Sequence, residues 1–362
     1  MELFKAHEQW AKRPADERMP SLQAMYDACR AYAATAHEAE VPFNSLRAEV
    51  DGRDLVLVGR ENVPARLTNW AFGQLAARAG APASYITTLP ATLAMSNINY
   101  GLKKRAEANP TNNDTANLLL HRNGGMLCRA LTTEKYQRIW NYEVAERILQ
   151  LAEYGWEPAM PDIRKSAGDF PSLYVSDRDM FAFLRLPNVY IPQPVPGAHK
   201  PIYKGLIYWN SEVGDKKIGC MKFGYSEMCG NHIIWNASEV SEFSARHVGN
   251  VRGALRQFEM QIRRYADEST SDMEATFKSA HTKVIASTKE GVLDYMFGRR
   301  DIGLSRKVLD SAYEAVVPEE DGDPKTVWGM VQGLTRHSQT IPYADQRQTL
   351  DRAVPKILKI AF

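Results

Sequence analysis

The sequence predicts an α+β fold: a mixed N-terminal and central region with several β-hairpins packed by helices, then a mostly helical C-terminal third. Three observations predict it. Asp51-Gly52 and Asn123-Gly124-Gly125 each separate two apolar-rich runs, which marks hairpins, because a tight hairpin turn needs positive φ at its centre. Residues 172–249 hold strand-like runs broken by polar turns. Beyond residue 248 apolar residues recur in steps of four and three, the period of a helix face.

In chain order, residues 1–40 read as helical, with Ser21 N-capping a run through Met25, Cys29 and Tyr32. LRAEV and DLVLVG form the first hairpin, over 45–58. A helix over 67–79 places Leu67, Trp70, Ala71 and Leu75 on one face and stops at Gly80, and Pro82 and Pro90 bracket a shorter one. Residues 106–116, rich in Asn and Thr, read as an exposed polar loop. NLLLHR and MLCRAL form the second hairpin. Thr133 caps a helix over 134–153, with Tyr136, Trp140, Val144, Ile148 and Leu151 toward the core and Gly155 as its end. Two strands flank Ser176-Asp177-Arg178-Asp179, the Pro-rich residues 187–201 are irregular, and at least two more strands follow from 203. Val251, Leu255, Phe258, Ile262 and Tyr265 form one apolar stripe, with further helices at 270–297, 304–316, 324–340 and 344–359. The organisation expected is an N-terminal helical segment (1–44), an α+β core domain (45–268) and a C-terminal helical region (269–362).

At 362 residues, 44% hydrophobic and 24% charged, the chain has ordinary globular composition, and no apolar run is long enough to span a bilayer. The start MELFKAHEQWAKRP has no apolar core of a secretory leader. Four cysteines, Cys29, Cys128, Cys220 and Cys229, suit a reducing compartment better than a disulfide framework, so a cytoplasmic protein is expected. A net charge of +2 neither requires nor excludes a nucleic-acid partner.

Chemistry-bearing residues are densest between 203 and 249, in Trp209-Asn210-Ser211-Glu212-Val213-Gly214, Cys229-Gly230-Asn231-His232 and Arg246-His247-Val248-Gly249. Cys220, Cys229, His232 and His247 offer a tetrahedral zinc set, and Cys229-x-x-His232 has chelating spacing. There is no second close pair, so buried cysteine and hydrogen-bonded histidine are the plainer reading. Glu212, His232 and His247 are candidate catalytic groups for a metal-dependent nuclease or other hydrolase. No G-x-S-x-G elbow or Walker A pattern is present, so neither ATP nor another cofactor is expected. Basic residues cluster at Lys103-Lys104-Arg105, at Arg122 and Arg129, at Lys216-Lys217, and at Arg246, Arg252 and Arg256. Tyr100, Trp140, Trp209, Tyr225 and Trp235 lie near them. Cations for phosphates beside flat faces for unstacked bases are what single-strand binding uses. Glu259 shares the face of Arg252 and Arg256 and is expected to offset part of their charge.

The runs SLYVSDRDMFAFL, YKGLIYWNSEVGDKKIG, MCGNHIIW and ARHVGN resemble the phage- and plasmid-borne proteins filed as a domain of unknown function and labelled "phage/plasmid-like protein". LLLHRNGGMLCRALTTEKYQRIWNYEV and WGMVQGLTRHSQTIPYADQRQTLDRA extend the resemblance over most of 45–355. The order of hairpin, strands and helix is similar to the superfamily of single-strand annealing proteins that includes the Erf and RecT types. That resemblance implies binding of single-stranded DNA, ATP-independent annealing in phage or plasmid recombination, and homo-oligomeric rings or filaments in the bacterial cytoplasm. It supplies no catalytic residues. Two alternatives stand beside it: the hydrolase, and a non-enzymatic protein of a mobile element that acts on a host partner.

Overall fold

The computed structural model describes residues 14–362 except 53, 109–113, 123, 160–171, 192–201, 227–230 and 235–241. The fold is α+β, with two sheets. In chain order the first elements are β1 (Glu17–Arg18), α1 (Leu22–Ala34), β2 (Ala36–Pro42), β3 (Arg47–Asp51), β4 (Asp54–Val58) and β5 (Pro64–Leu67). Then come α2 (Asn69–Arg78), α3 (Ala83–Ile86), α4 (Ala91–Ala108), β6 (Thr115–Arg122), β7 (Met126–Thr133) and α5 (Asn141–Leu151). The central strands are β8 (Glu157–Pro158), β9 (Leu173–Val175), β10 (Met180–Ile191), β11 (Ile202–Asn210), β12 (Ile218–Ser226), β13 (Asn231–Ile234) and β14 (Glu242–Ala245). The helices α6 (Val251–Asp267), α7 (Ser271–Thr282), α8 (Lys289–Gly298), α9 (Arg306–Glu314), α10 (Pro318–Asp321), α11 (Val327–Ser338), α12 (Ala344–Asp351) and α13 (Val354–Leu358) complete the chain.

The smaller sheet has the order β2-β6-β7-β5-β4-β3, antiparallel except for the β5–β7 pair. One face is covered by α2, α3 and α4, whose Ala71, Phe72, Leu75, Ile86, Ala94 and Ile98 pack on Leu57, Leu67 and Cys128. The larger sheet has the order β1-β9-β10-β11-β12-β13, with β8 pairing β10 and β14 pairing β12. It is covered on both faces, so its strands are apolar on both sides rather than alternating with polar residues. On β10, Ala182 and Leu184 face α1, α5 and α6, while Phe181 and Phe183 face the C-terminal helices. The stripe of α6 is buried as its period predicts: Val251, Leu255, Phe258, Ile262 and Tyr265 are each at most 7% exposed. Lys204, fully buried on β11, donates from Nζ to the carbonyls of Tyr265 and Ala266 at 3.0 and 3.1 Å and to that of Glu268, so it caps the C-terminal end of α6. Among the described residues no helix is long and apolar enough to cross a membrane.

Both hairpins form, with Gly52 at φ 61 and Gly124 at φ 64, and Ser21 caps α1 by accepting from Ala24 N at 3.1 Å. Several boundaries differ from the sequence reading. Helix ends at Ala34, and residues 36–42 are strand β2, because pairing with β6 gives that polar, alternating segment a ladder. Residues 106–108 belong to α4, and Thr115 and Ala116 to β6; the rest of the expected polar loop lies largely outside the described residues. The helix expected over 134–153 starts only at Asn141. Tertiary bonds hold 136–140 extended: Gln137 N donates to His247 O at 2.7 Å and Tyr136 Oη to Ser211 O at 2.7 Å. β10 continues to Ile191 past a register shift after Leu186, so 187–191 are strand. The helix over 270–297 is two, since Ile285 N donates to Lys325 O at 2.8 Å and Thr288 caps α8. The helix over 344–359 likewise divides into α12 and α13.

Glycine is required at two close approaches in the larger sheet, Gly205 against the Phe223 ring and Gly219 against Trp209. A Cβ on Gly219 would fall inside the ring of Trp209 on the neighbouring strand. Trp209 is only 2% exposed and has no space to retreat. Gly219→Ala is therefore expected to lower stability by about 1–3 kcal/mol, read as a lower urea midpoint. An unchanged midpoint would mean that the indole repacks without strain.

Candidate functional site

The turn between β11 and β12 carries Ser211, Glu212 and Val213, and its groups are spent on internal bonds. Ser211 Oγ donates to Arg178 O at 2.7 Å and accepts from Asp215 N at 3.0 Å. Val213 O accepts from Trp70 Nε1 at 3.0 Å and Gln74 Nε2 at 2.9 Å, which ties α2 of the smaller sheet to a turn of the larger one. Asn210 Nδ2 donates to Ile139 O at 2.9 Å and Asn141 Oδ1 at 2.8 Å. Glu212 Oε2 accepts from Arg129 Nη1 at 3.0 Å, Oε1 accepts from Asn141 N at 2.8 Å, and its carbonyl accepts from Arg138 Nη1.

Arg129 and Glu212 form a buried ion pair, with side chains 4% and 3% exposed. Arg129 Nη2 also donates to Asp177 O at 3.2 Å, and its guanidinium lies 5.4 Å from the Tyr32 ring. Burial, then the charge of Arg129, pushes His121 down to about 4, so its imidazole is neutral at neutral pH. Arg129 Nη1 lies 3.3 Å from His121 Nε2, and an arginine only donates. The His121 proton is therefore on Nδ1, donating to Thr35 Oγ1 at 3.2 Å, and Thr35 donates on to Tyr32 O at 3.0 Å. A cavity of about 440 Å³ opens beside this network, between the two sheets.

The expected catalytic and zinc residues are not gathered into a site by the described structure. His247 is 3% exposed, stacks on Tyr136 at 4.9 Å, and is pushed by burial down to about 4. Among the described residues no hydrogen bond joins it to Glu212. Cys229 lies among the residues outside the described structure, as does the side chain of His232 on β13. Cys220 is buried. Among the described residues the metal-ligating types converge at another place: Asp179, Asp215 and Asp345 bring carboxylate oxygens within 4.8 Å of one another. Each of the three also has other partners. The buried thiols of Cys29 and Cys128 are pushed up to about 12, which leaves them protonated and unreactive.

The basic residues divide by exposure. Arg129 has no face open to a phosphate, and Trp209 is core rather than a stacking platform. On α4, Lys103 faces Glu107 at 3.8 Å, Lys104 lies 6.0 Å from the exposed ring of Tyr100, and Arg105 faces Asp114 at 3.4 Å. Arg122 and Lys217 are exposed, and Lys216 is half-buried 5.9 Å from the Phe181 ring. The side chain of Tyr225, and Trp235, lie outside the described structure. Arg246, Arg252 and Arg256 are exposed, and among the described residues none has an ion-pair partner. Glu259 does not offset them as expected, because Arg147 of α5 holds its carboxylate.

At the head of α6, Arg252 meets a groove of about 460 Å³, lined also by Arg138, Trp140, Tyr142 and Asn250. Asn250 caps the helix, accepting from Gly253 N at 2.9 Å. Arg138 lies 5.4 Å from the Tyr136 ring and 5.7 Å from the Trp140 ring. Its side chain is 2% exposed and Nε donates to Glu38 at 2.6 Å, while Nη2 has no hydrogen-bond partner. The sequence reading missed Arg138 by placing it inside a helix. The usable signal was the order Tyr136-x-Arg138-x-Trp140, which stacks all three on one side of an extended chain. Comparisons of the chain with protein-family models, with curated proteins and with solved structures give no match.

Proposed function

We propose that the chain binds single-stranded DNA at the head of α6 and anneals complementary strands without ATP. One observation carries this reading: Arg138, Trp140, Tyr142 and Arg252 line a single groove at the positive end of a 17-residue helix. Arg246 and Arg256 extend the cationic surface beyond it. Phosphates are attracted to the exposed guanidiniums of Arg246, Arg252 and Arg256 and to the helix end, and unstacked bases find the indole and phenol rings. Annealing, and assembly into rings or filaments, rest on the resemblance of the sequence to annealing proteins. Glu212 and His247 lend no support to the hydrolase alternative, since one is bonded at both oxygens and the other is buried and neutral.

The test is fluorescence anisotropy with a labelled single-stranded oligonucleotide at two salt concentrations. The double charge reversal Arg252→Glu/Arg256→Glu is expected to weaken binding by about tenfold or more at low salt. It should also flatten the plot of log affinity against log salt by about 1.4, two phosphate contacts at roughly 0.7 each. No binding by the unaltered chain at micromolar concentration and low salt would refute the proposal. Equal affinity of the variant would move the binding surface elsewhere.

A further inference from the structure

The outermost strands of an open sheet each carry a row of backbone groups with no partner in the ladder. The smaller sheet treats its two edges differently. At the β3 edge Asn99 of α4 substitutes for a strand: Oδ1 accepts from Ala48 N at 2.7 Å and Nδ2 donates to Ala48 O at 2.9 Å. The β2 edge has no such cover among the described residues. Arg122 N donates to Thr35 O at 3.2 Å and Phe43 N to Asp114 O at 2.8 Å, and the pairing between them is regular. His37, Ala39 and Val41 are therefore the residues of β2 that bond β6. The N–H and C=O groups of Ala36, Glu38 and Glu40, and the carbonyl of Pro42, point outward. Among the described residues no hydrogen bond reaches them.

The side chains of β2 select what can pair there. His37, Ala39 and Val41 share one face and, with Leu57, Leu118 and Leu120, line an open groove of about 990 Å³. Alternate apolar side chains of an added strand would cover that groove. Glu38 and Glu40 lie on the other face and are exposed. Arg138 holds Glu38, while among the described residues no cation holds Glu40. A second copy of β2 is a poor partner, because antiparallel pairing centred on residue 38, 39 or 40 sets glutamate opposite glutamate. A strand with lysine or arginine at the facing positions meets opposite charge instead. We propose that β2 docks an extended segment of another protein in which apolar residues alternate with lysine or arginine. Its backbone bonds the outward groups of Glu38 and Glu40, its cations face these two carboxylates, and its apolar side chains lie over the groove.

Residue-resolved hydrogen exchange of the full chain, with and without the peptide Thr-Val-Lys-Val-Lys-Val-Thr, tests this. At saturation the amides of Glu38 and Glu40 are expected to exchange about tenfold more slowly, while that of Ala39, already bonded to β6, should not change. The same peptide N-methylated at both lysines keeps its charges and side chains but loses the donors that face β2, and is expected not to bind. Glu40→Lys should weaken the lysine peptide, and strengthen its counterpart with glutamate in place of lysine, each by about threefold or more in fluorescence anisotropy. No slowing at Glu38 and Glu40 with millimolar peptide would overturn the proposal. Equal binding of the N-methylated peptide would overturn it too, by reducing the contact to charge alone. Slow exchange at both amides before any peptide is added, lost on dilution, would give the edge to a second copy and so would also overturn it. The exchange and N-methyl contrasts are read on the unaltered chain, so they decide the matter whatever the variant does. No nucleic acid takes part, so the outcome is independent of strand binding at α6.

Discussion

Glu212→Ala is expected to cost about 3–5 kcal/mol of folding stability, the typical effect of removing one partner of a buried ion pair. The substitution leaves Arg129 buried without its carboxylate and Asn141 N without its acceptor. It also removes a side chain of the turn between β11 and β12 that bonds both the smaller sheet, through Arg129, and the start of α5. Urea denaturation at neutral pH measures the loss. The double variant Arg129→Met/Glu212→Leu should recover much of it, because a pair replaced by apolar groups of similar size no longer carries an uncompensated charge. A single-variant loss under about 1 kcal/mol would show that water reaches the pair and that the joint is softer than its 4% and 3% exposures imply.

The second large effect is a pH dependence at Asp351, 2% exposed within the C-terminal helices. Burial pushes its carboxyl up to about 7, against the pull of Ser338 and Arg347. In the unfolded chain an aspartate titrates near 3.9, so between roughly pH 4 and 7 the native state holds a proton that the unfolded state has lost. Stability from this group is therefore greatest below about pH 4 and is lost as pH rises through about 7. Three pH units correspond to about 4 kcal/mol. Asp351→Asn exchanges no proton and should lack this decline. The stability gap between variant and wild type should grow in favour of asparagine by up to about 4 kcal/mol from pH 4 to pH 8. A gap constant to within about 1 kcal/mol would mean that the carboxylate finds solvent or a counter-charge when it ionises.

The elements legible in the sequence were those whose own residues determine them. The α6 stripe, the two glycine-marked hairpins and the Ser21 cap depend on period, turn chemistry and one hydroxyl. The misread segments depend on partners far along the chain. Residues 136–140 carry helix-compatible spacing, yet His247 and Ser211 draw them out straight. Residues 36–40 look helical until the ladder with β6 is available. The long helix α4 was missed, although Ala91, Ala94, Ile98 and Leu102, all buried, stand at helical spacing. The candidate site followed the same division. The exposed arginines of α6 could be read from spacing. The burial of Arg129 and the diversion of Glu259 to Arg147 could not, because each is fixed by a segment remote in sequence.

Ala344 N, at the start of α12, donates to Asp16 Oδ2 at 2.7 Å, closing a span of 328 residues. On a ribosome adding roughly 5–20 residues per second, that bond waits several tens of seconds after Asp16 has emerged. The strand and helix that follow Asp16 can meet their near neighbours meanwhile, but the carboxylate's bond to Ala344 is set only after Ala344 has emerged. Synthesis order therefore makes this bond a late seam, one that cannot close until both sheets between Asp16 and Ala344 have been synthesised.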